Sequence, residues 1–166
     1  MVPENTISGN QFVVHIPEAA DPRQFRQRLG ELGEVSALPA HPELLVLRLA
    51  GKKQIDPRVG WDQVRSTLGD ITVDPVFVDD EDTLKYPIGT IKVRFSEVPG
   101  DIELANWCQR HGLSMLSRDK YAPNQLSFAP LKSRHPFLPD LLAELHEEAN
   151  LGVIAWPETL TQFQRG

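Results

Sequence analysis

Phe12–Ile16, apolar at every position but His15, reads as a strand. Asp21-Pro22 then opens a helical stretch that runs to Leu32. Asp21 offers a carboxylate to an orphan N–H and Pro22 suits the first helical position. Phe25, Leu29 and Leu32 recur at i, i+4 and i+7, and Gly33 permits a left-handed stop. Val35–Leu38 and Leu44–Ala50 predict two further strands. They are joined by Pro39-Ala40-His41-Pro42, whose prolines suit a turn and not a central ladder. A second helix is expected between Asp56 and Leu68, with Trp61, Val64 and Leu68 on one side and Gly69 as its stop; Gly60 leaves its start open. Ile71–Asp79 reads as a fourth strand, giving the order βαββαβ.

The acidic run Asp79-Asp80-Glu81-Asp82 and Tyr86-Pro87-Ile88-Gly89 combine charge repulsion, a fixed φ and flexibility, which reads as a connection over 80–89. The same order then recurs. A strand is expected at Thr90–Phe95, a helix from Asp101 to His111 stopped by Gly112, and strands at Leu113–Ser117 and Gln125–Ala129. A helix from Pro136 to Ala149 follows, its stripe formed by Leu138, Leu141, Leu142, Leu145 and Ala149, and Gly152–Trp156 is the last strand. Phe12–Ile16 corresponds to Ile91–Phe95 and Gly33 to Gly112 at an offset of 79, while Leu45-Val46-Leu47 meets Leu126-Ser127-Phe128 at an offset of 81. The expected fold class is α+β: two tandem ferredoxin-like units, each a four-stranded antiparallel sheet with two helices on one face. Their bounds are 11–79, a linker at 80–89, and 90–157, with an extended segment at 158–166. Each unit leaves one sheet face without helices, and fold alone does not say what that face does.

Composition narrows the chemistry. Seventeen Lys plus Arg against 23 Asp plus Glu leave a net charge of −6, so no overall positive field gathers nucleic acid or anionic lipid. The longest apolar stretches, such as Leu44–Leu49, fall well short of the ~20 residues of a membrane helix. Met1–Asn10 has no signal-peptide character, and Cys108, the single cysteine, has no internal disulfide partner, so a cytoplasmic setting is expected. Among His15, His41, His111, His135 and His146, no two share metal-ligand spacing beside a carboxylate, and the acidic run lacks the ligand order and glycine of a calcium loop. Glycines do not cluster after a strand as phosphate cradles require. Cys108 shares a helix face with Leu104 and Ala105 and reads as a small core residue. An RNA-recognition module shares the βαββαβ order but places aromatic residues on the exposed faces of its central strands. Gln125–Phe128 offers one aromatic and Leu44–Leu49 none. No metal, cofactor, nucleic acid or membrane is therefore expected, and no catalytic residue is assigned.

Pro157–Gly166 shows neither helical periodicity nor a tight-turn dipeptide, so it is expected to leave the sheet extended. An extended segment is what a peptide-binding cleft recognises, through main-chain hydrogen bonds and alternating pockets.

With these elements in place, the second unit resembles the N-terminal propeptides of subtilisin-like serine proteases, the inhibitor-and-chaperone domains that precede the catalytic domain. The resemblance covers Gly89 to Gly166. It is carried by Thr90-Ile91-Lys92-Val93-Arg94-Phe95, the helix ending at Gly112-Leu113, Gln125-Leu126-Ser127-Phe128-Ala129 and Leu151-Gly152-Val153-Ile154-Ala155-Trp156-Pro157. It implies that the segment after the last strand lies along a protease cleft as a bound product would, with Gly166 at the first subsite, Arg165 at the second, Gln164 at the third and Phe163 at the fourth. Glu158 matches a position where the family caps a protease surface helix with a carboxylate. Thr159 and Leu160 are not acidic, so the resemblance implies one such cap here. The partner-binding residues expected on this basis are Glu158, Leu160, Thr161, Gln162, Phe163, Gln164, Arg165 and Gly166.

Neither half carries the Asp, His and Ser motifs of a subtilase. The expected function is thus that of a propeptide-like inhibitor or folding chaperone, acting without catalysis on a separately encoded protease. The alternative is a ferredoxin-like small-molecule-sensing or dimerisation module with no protease partner.

Overall fold

The computed structural model describes residues 6–51, 56–131, 134–147 and 152–161. Along it the βαββαβ order runs twice: β1 (Thr6–His15), α1 (Pro22–Gly30), β2 (Gly33–Leu38), β3 (His41–Leu49), α2 (Pro57–Leu68) and β4 (Val73–Val78), then β5 (Leu84–Arg94), α3 (Asp101–His111), β6 (Leu113–Arg118), β7 (Gln125–Pro130), α4 (Leu138–His146) and β8 (Ile154–Thr161). The fold class is α+β with tandem ferredoxin-like units. One compact unit is formed by Asn5–Ile88 together with the chain from Thr159, and the other contains Gly89–Glu158. We refer to them as the N-terminal and C-terminal units. No helix of the described residues is long and apolar enough to cross a membrane.

In the N-terminal unit the strands lie in the order β2-β3-β1-β4, with antiparallel pairs that set Phe12 opposite Leu47 and Val13 opposite Val46. Asp21 and Asp56 start the two helices by accepting the backbone N–H of Arg23 and Arg58, each followed by a proline in the first turn. Phe25, Leu29, Trp61, Val64 and Leu68 turn inward from those helices. Alternation sends Phe12, Val14, Leu45 and Leu47 to the helix-covered face and Val13, Leu44 and Val46 to the other. The Trp61 indole N–H donates to the Val73 carbonyl at 2.8 Å, tying α2 to β4.

In the C-terminal unit the order is β6-β7-β5-β8, with Ile91 opposite Phe128, Lys92 opposite Ser127, Val93 opposite Leu126 and Arg94 opposite Gln125. Trp107 of α3 is fully buried, with the rings of Phe95 and Phe128 each 5.1 Å from it. Leu138, Leu141, Leu142 and Leu145 of α4 complete this core. His146 anchors the start of β8: its Nδ1 donates to the Leu142 carbonyl and its Nε2 accepts the N–H of Ala155.

Several boundaries differ from the sequence reading. The stretch 80–89 is a tight turn followed by a strand. Asp79 Oδ1 accepts the backbone N–H groups of Glu81 and Thr83, and β5 starts at Leu84, pairing Lys85 with Phe77 and Leu84 with Val78. The overlooked signal is the alternation of Leu84, Tyr86 and Ile88. It moves out of phase with Ile91, Val93 and Phe95 at Gly89, whose φ of +97° suits that residue. β1 begins at Thr6, because a bulge between Ile7 and Phe12 carries the polar Ser8-Gly9-Asn10 without losing the pairing to β4. α1 ends at Gly30, short of Leu32, and Gly33 is not left-handed. A Cβ there would collide with the Arg48 carbonyl oxygen, so close strand approach is what requires glycine. Gly112, by contrast, is the left-handed stop of α3, with φ +65° and ψ +41°. β8 reaches Thr161, five residues beyond Trp156, where the last strand was expected to end.

Candidate functional site

The helix-free face of the C-terminal unit is built from the odd-one-out positions of three strands. Because Ile91, Val93 and Phe95 point into the core, Lys92 and Arg94 of β5 point away from it, and the register places Ser127 and Gln125 of β7 beside them. Arg94 donates from Nε and Nη2 to Gln125 Oε1 at 3.3 and 3.0 Å, and its guanidinium carbon stands 5.6 Å from the centre of the Trp156 ring. Ser127 Oγ donates to Glu158 Oε1 at 3.1 Å. These two contacts put Trp156 and Glu158 of β8 on the same face as Arg94 and Ser127. The surface is polar and carries both signs of charge, with an aromatic ring held by a cation at one point.

β8 lies at the edge of this unit's sheet, pairing β5. Of the expected partner-binding residues, Glu158 is on the face just described. Leu160 is not part of a loose tail: it is half-buried and packs on a cluster formed by Val13, Leu38, Leu44, Val46, Val76 and Tyr86 of the N-terminal unit. Thr161 is the last residue of β8 and is exposed. The segment read as extended from 158 is therefore strand through Thr161, because Leu160 has apolar surface to cover. Gln162, Phe163, Gln164, Arg165 and Gly166 lie outside the described residues. Lys92, Arg94 and Trp156 were not singled out from sequence as site residues. The signal for them was present in the alternation of Thr90–Phe95, whose charged members are those that a core cannot hold.

Other candidates resolve into structural roles. The Phe128 ring, the aromatic considered for base stacking, is fully buried against Trp107 on the helix side. Burial pushes the Cys108 thiol up, the opposite of what activates a nucleophile. His111 Nδ1 pairs with Glu144 at 2.8 Å, joining α3 to α4, and His15 Nε2 pairs with the buried Asp74 at 3.2 Å. Among the described residues no group of three His, Cys, Asp or Glu is placed to hold a metal ion. A groove of about 530 Å³ runs between α3 and β6, lined by Leu104, Ala105, Cys108, Leu113, Met115 and Arg118 among others.

No family model and no curated protein sequence matches the chain. Solved structures similar to it include the following two. One is described as Sex-lethal RNA recognition domains 1 and 2 from Drosophila melanogaster, at 10% identity, covering 90% of this chain and 99% of that one, with a TM-score of 0.29. The other is the NONO-1 homodimer of C. elegans, at 12% identity, covering 95% of this chain and 65% of that one, with a TM-score of 0.31.

Proposed function

We propose that the C-terminal unit docks its helix-free face on a subtilisin-like serine protease and that Gln162–Gly166, continuing β8, occupy the substrate cleft as an inhibitor or folding chaperone. The observation that carries the reading is the open face itself: Glu158, on an edge strand that leads to the tail, holds a carboxylate beside Ser127 where a protease helix N-terminus would meet it. Arg94 and Trp156 provide the kind of cation and aromatic pair enriched at protein interfaces. Inhibition of this type needs no catalytic group from the inhibitor. A strand-borne tail loses less conformational freedom on binding than a loose one.

The test is inhibition of purified subtilisin-like proteases by the full chain in a peptide-substrate assay, beside a chain ending at Thr161. Inhibition by the full chain and its loss in the shortened one are expected. Equal inhibition by both would overturn the tail mechanism, and no inhibition across a panel of such proteases would overturn the reading.

The groove between α3 and β6 favours a second reading, a small-molecule-sensing module, since Leu104, Leu113 and Met115 give it apolar walls and Arg118 a charged rim. A ligand-dependent rise in Tm across a metabolite set, removed by Leu104→Trp, would support that reading instead.

A further inference from the structure

We propose that the N-terminal unit is the holder of the C-terminal segment, with Leu160 as the positioning residue; what the held segment does rests on the protease reading above, but the holding does not. The helix-free face of the N-terminal sheet is apolar at Val13, Leu44, Val46 and Val76, and exposed apolar surface of that extent calls for a cover. The chain supplies one from two separate places. Leu84, Tyr86 and Ile88 come from the start of β5, and Leu160 comes from the end of β8. Leu38 and Tyr86 complete the buried cluster, with Tyr86 only 6% exposed. Thr159–Thr161 accordingly belong to the N-terminal unit, while Ile154–Glu158 belong to the C-terminal one.

Leu160 stands three positions before Phe163, the residue expected at the fourth protease subsite. Holding Leu160 on this cluster fixes the point from which the chain leaves β8. Ordering lost before binding is not lost again on binding, and that is the advantage of a preorganised ligand. A repeat that has given up its own open face in this way has a function distinct from docking. It sets where the segment after Thr161 begins.

The experiment uses the full chain, with Leu160→Asp, Leu160→Ala and Leu160→Met beside the wild type. Hydrogen exchange is read over 12–16 and 44–49 in the N-terminal unit and over 126–129 in the C-terminal unit, and the inhibition constant is measured on a protease that the wild type inhibits. Leu160→Asp is expected to speed exchange in the two N-terminal segments by about tenfold or more, to leave 126–129 unchanged, and to raise the inhibition constant about tenfold. Leu160→Ala should follow in the same direction by a smaller factor, which keeps the test readable if the Asp variant does not fold. Leu160→Met should stay within about threefold of wild type on both readouts. Unchanged exchange in Leu160→Asp and Leu160→Ala overturns the holding. Faster exchange with an unaltered inhibition constant leaves Leu160 structural and overturns its positioning role. A chain ending at Thr161 is expected to exchange as wild type and not to inhibit, which separates the holder from what it holds. If the wild type inhibits no such protease, the function proposed above fails, and positioning is read from heteronuclear relaxation of the 162–165 amides: a gain in fast motion in Leu160→Ala supports it, and no change overturns it.

Discussion

In the N-terminal unit Val13 and Val46 face each other across β1 and β3 at the centre of a buried apolar cluster. The C-terminal unit sets Lys92 and Ser127, 79 and 81 residues further on, opposite each other across β5 and β7. In the neighbouring pair His15 and Leu44, matched by Arg94 and Gln125, the exchange falls on Leu44 alone, since His15 is already polar and pairs with Asp74. On the helix-covered side no such exchange of character occurs. Phe12 with Leu47 is matched by Ile91 with Phe128, and Val14 with Leu45 by Val93 with Leu126, and all eight residues are buried. The repeat thus preserves the half of the sheet that makes a core and reverses the half that meets something else. Internal repetition specifies architecture, and the face left over by the helices is where two copies acquire different roles.

The reversal is broken most directly by exchanging residues across it. Val46→Lys places a charge with no partner in the closed face and is expected to destabilise the N-terminal unit by about 3 kcal/mol or more. Ser127→Val at the matching position loses the hydrogen bond to Glu158 and is expected to cost about 1 kcal/mol or less. Urea unfolding of both variants checks this, and equal losses would mean that the two faces are alike. Matched glycines sharpen the comparison at the next level. Gly33→Ala drives a Cβ into the Arg48 carbonyl, where backbone must move, and should cost about 2–4 kcal/mol. At Gly112 the nearest obstacle is the side chain of Arg134, which is able to swing aside, so Gly112→Ala should cost mainly the left-handed φ, about 1–2 kcal/mol. The smallest effect concerns the turn from β4 to β5. The backbone N–H of Thr83 holds the Asp79 carboxyl below the usual carboxylate range; desolvation opposes it, and the Glu81 N–H and the charge of Lys85 add to the lowering. A lowered folded value means that the turn's contribution is present above the ordinary carboxylate value and is lost as the pH falls through the folded one. A protection factor at the Thr83 amide that falls at low pH in the wild type, and one that is lower and independent of pH in Asp79→Ala once the intrinsic exchange rate is divided out, are the expected results.

Much of this architecture was legible because it is local. Asp21-Pro22 and Asp56-Pro57 announce helix starts through groups two residues apart, and Leu138, Leu141, Leu142 and Leu145 write their stripe within three turns. The connection expected over 80–89 shows the limit. Its charges and Pro87 read as a break, while Leu84, Tyr86 and Ile88 form a strand because a face made by β1 and β3 is there to receive them. The candidate site divides in the same manner. Glu158 was visible from the resemblance, whereas Arg94 over Trp156 joins residues 62 positions apart, and nothing in either neighbourhood announces the other.

The sequence by itself determined the order of elements, the Asp-Pro helix starts and the twofold repeat, since each follows from the conformations and periodicity of residues near one another in the chain. Only the tertiary structure decided which helix-free face is closed and what closes it. Leu160 reaches a cluster that includes Val13, almost the whole chain away, and such a contact is selected by the apolar area it removes from water.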